Sequence, residues 1–277
     1  MISMRNKSFF RRCYLLIIVF VVFLLGLFFI SKDAKECIIF SLAKENLGFP
    51  VAIFLNHDAN RAMFIGNYYF NGVIGGGEYN TARAFKAFKK AVLINPKILW
   101  GHYQLARIYF VNGDFNAALD EINKELTANP ENLRSLYVRG LIYGYRGFIG
   151  DPEKSEADFQ RFVKWAPKEW AGYNDLAWIL SKRGKYREAE EIVNLAFKEV
   201  EGAEKNPWLW NALGLAEINL GKRAKARISF EKAKKFAENL TLSEWRKAYP
   251  GNAPEYAQFG LSTFLNTVEI NMEKSNK

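Results

Sequence analysis

The sharpest feature of the apolar pattern lies at residues 14–30, which read YLLIIVFVVFLLGLFFI without a single charge. A helix of that length covers roughly 25 Å, near the about 30 Å of a bilayer core. A helix of a water-soluble core keeps a polar face, and this stretch has none. Beyond it the pattern turns amphipathic. Between residues 58 and 238 apolar positions recur at helical spacing in short blocks. Turns with glycine and an aromatic divide these blocks, and proline steps close them: Asn95-Pro96, Asn129-Pro130, Ala166-Pro167 and Asn206-Pro207. Pro96 and Pro130 are 34 positions apart. The pattern predicts helices in tandem pairs, preceded by helical stretches at 34–47 and 50–56. A short helix at 243–248, a Pro-Gly-Asn-Ala-Pro turn at 250–254 and a helix over about 255–273 follow.

The blocks share residues as well as spacing. One copy reads Leu105, Ala106, Tyr109, Gly113, Phe115, Ala118, Ile122, Pro130, and another Leu176, Ala177, Leu180, Gly184, Tyr186, Ala189, Val193, Ala196. The last carries Trp210, Leu213, Gly214, Gly221, Ala226, Phe230 and Ala233. The first has Gly66, Tyr69, Tyr79, Ala84, Phe88, Ala91 and Pro96, and the loosest Gly140, Tyr143, Ser155, Phe159, Phe162 and Pro167. Small residues such as Gly66, Ala106, Gly140, Ala177 and Gly214 allow two helices to approach closely. Gly113, Gly184 and Gly221 suit the left-handed backbone that ends a helix. Together these residues resemble the tetratricopeptide-repeat (TPR) family, in its bacterial form with an N-terminal membrane anchor.

The resemblance implies an all-α, right-handed superhelical solenoid of helix-turn-helix repeats, five over residues 58–238, plus one N-terminal transmembrane helix. The remainder divides into a basic tail (1–13), a transmembrane signal anchor (14–30), a helical linker (31–57) and C-terminal capping helices (239–277). In the cap, Tyr256, Phe259, Leu261, Phe264, Leu265, Val268 and Ile270 are expected to pack on the last repeat. Departures from the repeat fall in turns: an enlarged one at 72–77, an insertion at about 147–151 and an extended end at 198–206.

Charge sharpens the topology. The net charge is +10, of which Arg5, Lys7, Arg11 and Arg12 supply four units ahead of the apolar segment. Lys32 and Lys35 follow it, each beside an acid. More bases before than after places the N-terminus in the cytoplasm and the repeats on the extracytoplasmic, periplasmic or cell-surface, side. The apolar stretch exceeds the about 7–15 residues of a cleavable signal peptide and lacks a small-x-small site, so an uncleaved single-pass anchor fits better. A basic run at 222–235 reads as a solvated helix face rather than a nucleic-acid grip, so nucleic acid is not the expected partner. If residues 14–30 span the bilayer, Cys13 and Cys37 lie near its opposite faces and cannot pair.

Candidate chemistry is sparse. His57 and His102 have no Cys, His or paired carboxylate at ligand spacing, so no metal is expected. No nucleophile elbow occurs, and the glycines at 72–77 lack the Gly-Lys-Ser/Thr ending of a phosphate loop. No catalytic residue and no cofactor are expected. Family resemblance instead implies a partner-binding groove on the first helices: Met63, Asn67, Tyr103, Arg107, Arg134, Tyr137, Asn174, Trp178, Asn211 and Leu215. Its aromatic, amide and basic character suits an extended peptide. The basic clamp by which some relatives hold chaperone tails is not matched, since Tyr103, Arg107, Arg134, Tyr137 and Val138 stand there. The expected function is a membrane-anchored scaffold or adaptor for protein or peptide partners. The alternatives are an accessory assembly subunit of an envelope enzyme or secretion or pilus machine, and, with reversed topology, a cytoplasm-facing receptor.

Overall fold

The computed structural model describes residues 31–71, 77–146, 151–249 and 251–275, with Ile18, Val22 and Gly26 from the apolar segment. The rest of the expected membrane anchor lies outside the described residues. Within them no helix is long and apolar enough to cross a membrane. The described residues form fourteen α-helices and two short 3-10 turns.

Helices α1 (Lys32–Lys44) and α2 (Gly48–Leu55) precede five consecutive pairs. The pairs are α3 (Ala59–Phe70) with α4 (Thr81–Ile94), α5 (Gly101–Val111) with α6 (Phe115–Ala128), and α7 (Arg134–Tyr145) with α8 (Pro152–Trp165). Then come α9 (Trp170–Lys182) with α10 (Tyr186–Glu199), and α11 (Pro207–Asn219) with α12 (Arg223–Glu238). The chain ends in α13 (Leu242–Ala248) and α14 (Ala257–Ser275). Each helix packs on its pair mate and on the next pair, and the first helices of neighbouring pairs also touch, which gives a solenoid.

Local sequence explains the boundaries. Second helices begin where Asn80, Asp114 and Asp151 accept hydrogen bonds from the amides of Arg83, Ala117 and Lys154, satisfying free N–H groups of the first turn. Asn206 does the same for α11, with Pro207 in its first turn. Gly113, Gly184 and Gly221 have φ of 78°, 74° and 74°, so the turn between helices of a pair uses the left-handed region at each.

In the first, third and fifth pairs the close approach is set by a glycine facing a phenylalanine. A Cβ on Gly214 would lie 2.5 Å from the Phe230 ring, and one on Gly140 would lie 2.8 Å from Phe159. Gly66 meets Phe88 in the same manner. All three phenylalanines are fully buried.

Both ends are covered. Residues 31–57, expected as a linker, pack against the first pair: Ile39, Ala43, Phe49 and Ala52 share one core with Ala62, Ile65, Tyr69 and Phe88. The Tyr69 hydroxyl donates to the Ala43 carbonyl at 2.5 Å. At the other end α14 packs on α12, with Val268 buried beside Phe230 and Ala233. The expected cap is only partly as drawn. Leu261, Phe264, Leu265 and Val268 face the protein, but Tyr256, Phe259 and Ile270 point to solvent. The reason is helical period: Phe259 and Ile270 lie off the stripe formed by Leu261, Phe264, Leu265 and Val268.

Candidate functional site

The first helices of pairs two to five line the inner face of the solenoid. Between them and the C-terminal segment lies a cavity of about 860 Å³. Eight of the ten expected groove residues line it: Tyr103, Arg107, Arg134, Tyr137, Asn174, Trp178, Asn211 and Leu215. The other two do not. Met63 is buried in the core that α1 and α2 form with the first pair. Asn67 is tied up beside it, its amide oxygen accepting from Asn71 at 2.8 Å and from Gln104 at 3.0 Å.

The two arginines at one end already have partners. Arg107 donates to Asn71 and Gln104, each at 2.8 Å, and stacks over Phe70 at 4.8 Å. Burial lowers the pKa of its guanidinium. Arg134 donates to Glu169 at 2.7 Å. The Tyr103 hydroxyl is raised by burial despite both arginines.

Farther along, Asp175 faces the cavity from α9. Its carboxylate accepts from the Tyr137 hydroxyl at 2.6 Å and from the Asn174 amide at 3.0 Å. It forms no ion pair among the described residues. Burial pushes its carboxyl up to about 6. Burial, and then the Asp175 charge, raise the Tyr137 phenol well above its usual range. Aromatic rings surround this carboxylate. Tyr145 stacks on Trp178 at 4.8 Å, and Trp170 stacks on Trp208 at 5.0 Å.

The fourth wall comes from the C-terminal segment. Ala248, Tyr249, Asn252 and Phe264 all line the cavity. The Trp208 indole donates to the Tyr249 hydroxyl at 2.8 Å, and Trp245 packs against Trp208, Tyr249 and Phe264. From there the chain reaches the first pair: the Tyr79 hydroxyl donates to the Gly251 carbonyl at 2.8 Å. Gly251 has φ of 108°, and a Cβ there would lie 3.0 Å from Arg107 and 3.1 Å from Phe70. Only glycine fits both the backbone and the space.

Sequence reasoning missed Asp175, Tyr145, Trp170, Trp208 and the whole C-terminal wall. Asp175 had one available signal: it is the one acid in a first helix that is otherwise mostly apolar. The histidines take no part. His57 is exposed, and His102 Nδ1 lies 2.6 Å from Glu121 on another helix. The basic run at 222–235 lies largely on the exposed side of α12, where Lys222 pairs with Glu190 and Lys234 with Glu269. Among the described residues no cluster of His, Cys, Asp or Glu could hold a metal ion.

The family model for the tetratricopeptide repeat matches residues 209–240, the last helix pair. The photosystem I assembly protein Ycf3 of Acaryochloris marina (strain MBIC 11017) is 26% identical over 106 residues, 37% of this chain and 64% of that protein. The chain thus spans less than two thirds of that relative's length. Among solved structures, PilW, a widely conserved type IV pilus biogenesis factor, superposes with a TM-score of 0.56 at 19% identity, over 76% of this chain and 97% of that one. A tetratricopeptide repeat protein from Parabacteroides merdae ATCC 43184 gives 0.54 at 18%, covering 85% and 93%. YrrB, a TPR protein with an unusual peptide-binding site, gives 0.52 at 19%, covering 69% and 93%. At these identities the likeness is one of architecture: the chain folds as a tetratricopeptide-type, all-α solenoid.

Proposed function

We propose that this chain is a scaffold or adaptor that holds a segment of a partner protein in the cavity on the inner face of its repeats. The carrying observation is the cavity itself, walled by the first helices of four successive pairs and rich in aromatic side chains. Its volume lies within the about 300–1,000 Å³ usual for pockets that enclose a ligand group, so it admits side chains rather than a folded domain. Nothing in its lining resembles a nucleophile beside a base, so the reading is one of binding and not of catalysis. Photo-crosslinking in cells tests it. A photoreactive residue in place of Leu215 is expected to capture a partner, whereas one at exposed Leu195 on α10 is not. Equal capture from both positions overturns the assignment.

The same reading places the repeats outside the cytoplasm, tethered by residues 14–30. The charge-free apolar run and its four preceding bases support this. A reporter fused to the C-terminus, active only outside the cytoplasm, is expected to score. Cytoplasmic activity would instead favour a receptor facing inward. A role as an accessory assembly subunit is the second reading, supported by the assembly and biogenesis roles named for Ycf3 and PilW. It predicts that loss of the chain leaves a partner complex unassembled rather than merely delocalised.

A further inference from the structure

The charges that line the cavity are unequal in one respect. Arg134 is paired with Glu169, and Arg107 is held by two amides and stacked on Phe70. Asp175 is the one acid among the charged lining residues, and its described partners, Tyr137 and Asn174, are neutral donors. Around it stand Tyr145, Trp178, Trp170, Trp208 and Tyr249, all lining the same space. Aromatic faces attract cations, and a carboxylate enclosed without a counter-ion gains most from one.

We propose that the cavity receives an arginine or lysine side chain of the partner protein, with Asp175 as its counter-ion and the surrounding rings as its cage. This rests on the partner-binding reading above and specifies its chemistry. The opposite choice, an acidic side chain meeting Arg107 and Arg134, is disfavoured because both arginines would have to leave existing partners. The elevated carboxyl of Asp175 is the expected state of such a site while empty. The net charge of +10 repels a basic partner at long range. Screening over about 8 Å at physiological ionic strength leaves the local carboxylate to decide.

The test uses the full chain in detergent micelles and three blocked peptides, Ac-Leu-Ala-X-Ala-Leu-NH2, where X is Arg, Gln or Glu. Binding is followed by calorimetry and by quenching of the cavity tryptophans. The Arg peptide is expected to bind about tenfold tighter than the Gln peptide, and Asp175→Asn is expected to erase that preference. Circular dichroism of the Asn variant establishes that the fold is kept. Equal binding of the three peptides, a preference for Glu, or a preference that survives Asp175→Asn overturns the charge assignment. If cavity crosslinks still form, the partner-binding reading stands without it. If no peptide binds and no crosslink forms, both fall.

Discussion

Two carboxylates in this protein, buried Glu125 and half-buried Asp175, show how partners decide what a charge does. Glu125 is fully buried yet accepts four N–H bonds, from the Trp100 and Tyr103 amides and from the Asn129 and Asn132 side chains. It holds Trp100 in the left-handed region at φ 71°, where a non-glycine residue is strained. Glu125→Ala is expected to orphan these donors and destabilise by on the order of 3 kcal/mol, measured by urea unfolding. Asp175 has less compensation. Its unfolded carboxyl titrates near 3.8 and its folded one near 6. Between those values the native state binds more protons than the unfolded chain. Its contribution to stability is therefore full below about pH 3.8 and is lost as pH rises through about 6. At pH 7 the cost is about 3 kcal/mol. Asp175→Asn keeps an acceptor for Tyr137 and should raise the melting temperature at neutral pH by at least about 3 °C, with the gap closing toward about pH 4. The groups facing Asp175 are Tyr137, Tyr145 and Tyr249, whose phenols burial raises, with Arg107 and Arg134 farther along the cavity. None of these phenols or guanidiniums changes charge between pH 5 and 8. A basic ligand should accordingly weaken as pH falls below about 6, because Asp175 then carries a proton.

At the scale of the element, three of the five helix pairs close on a glycine pressed against a phenylalanine. Gly214→Ala is expected to drive a methyl into the Phe230 ring and cost about 1–3 kcal/mol. Phe230→Leu opens space, so the double variant should lose less than the sum of the singles, a coupling read from chemical denaturation. Additive losses would mean the ring is not the obstacle. This is also the scale at which the sequence was most legible. The alternation of small residues on first helices with a large apolar residue on second helices (Phe88, Ile122, Phe159, Val193, Phe230) is a periodic signal, and so are the glycine turns. Tyr103, Arg107, Tyr137 and Trp178 were found because the inner face of a first helix follows from the same register. Met63 was misplaced because that register is blind to α1 and α2, which bury the first pair's end of the groove. Asp175 was missed because it sits one position from Asn174, outside the stripe the register marks.

At the scale of the molecule, the C-terminal segment turns an open groove into a cavity. No local pattern announces this. The contact between Tyr79 and Gly251 joins positions 172 apart and depends on one phenol and one carbonyl. The segment is anchored more firmly at its other side, where Trp245, Trp208, Tyr249 and Phe264 cluster. The two attachments should therefore separate in strength. Tyr79→Phe removes one neutral hydrogen bond, worth about 1 kcal/mol, and leaves the ring in place. Hydrogen exchange is expected to quicken at residues 251–253 while the amides of α11 and α12 keep their protection. Trp245→Ala should instead loosen the whole of α13, because it removes the aromatic body on which the segment rests. If Tyr79→Phe exposes α13 to exchange as fully as Trp245→Ala does, the far contact is holding the wall, and entry to the cavity is governed from the first repeat rather than from the last.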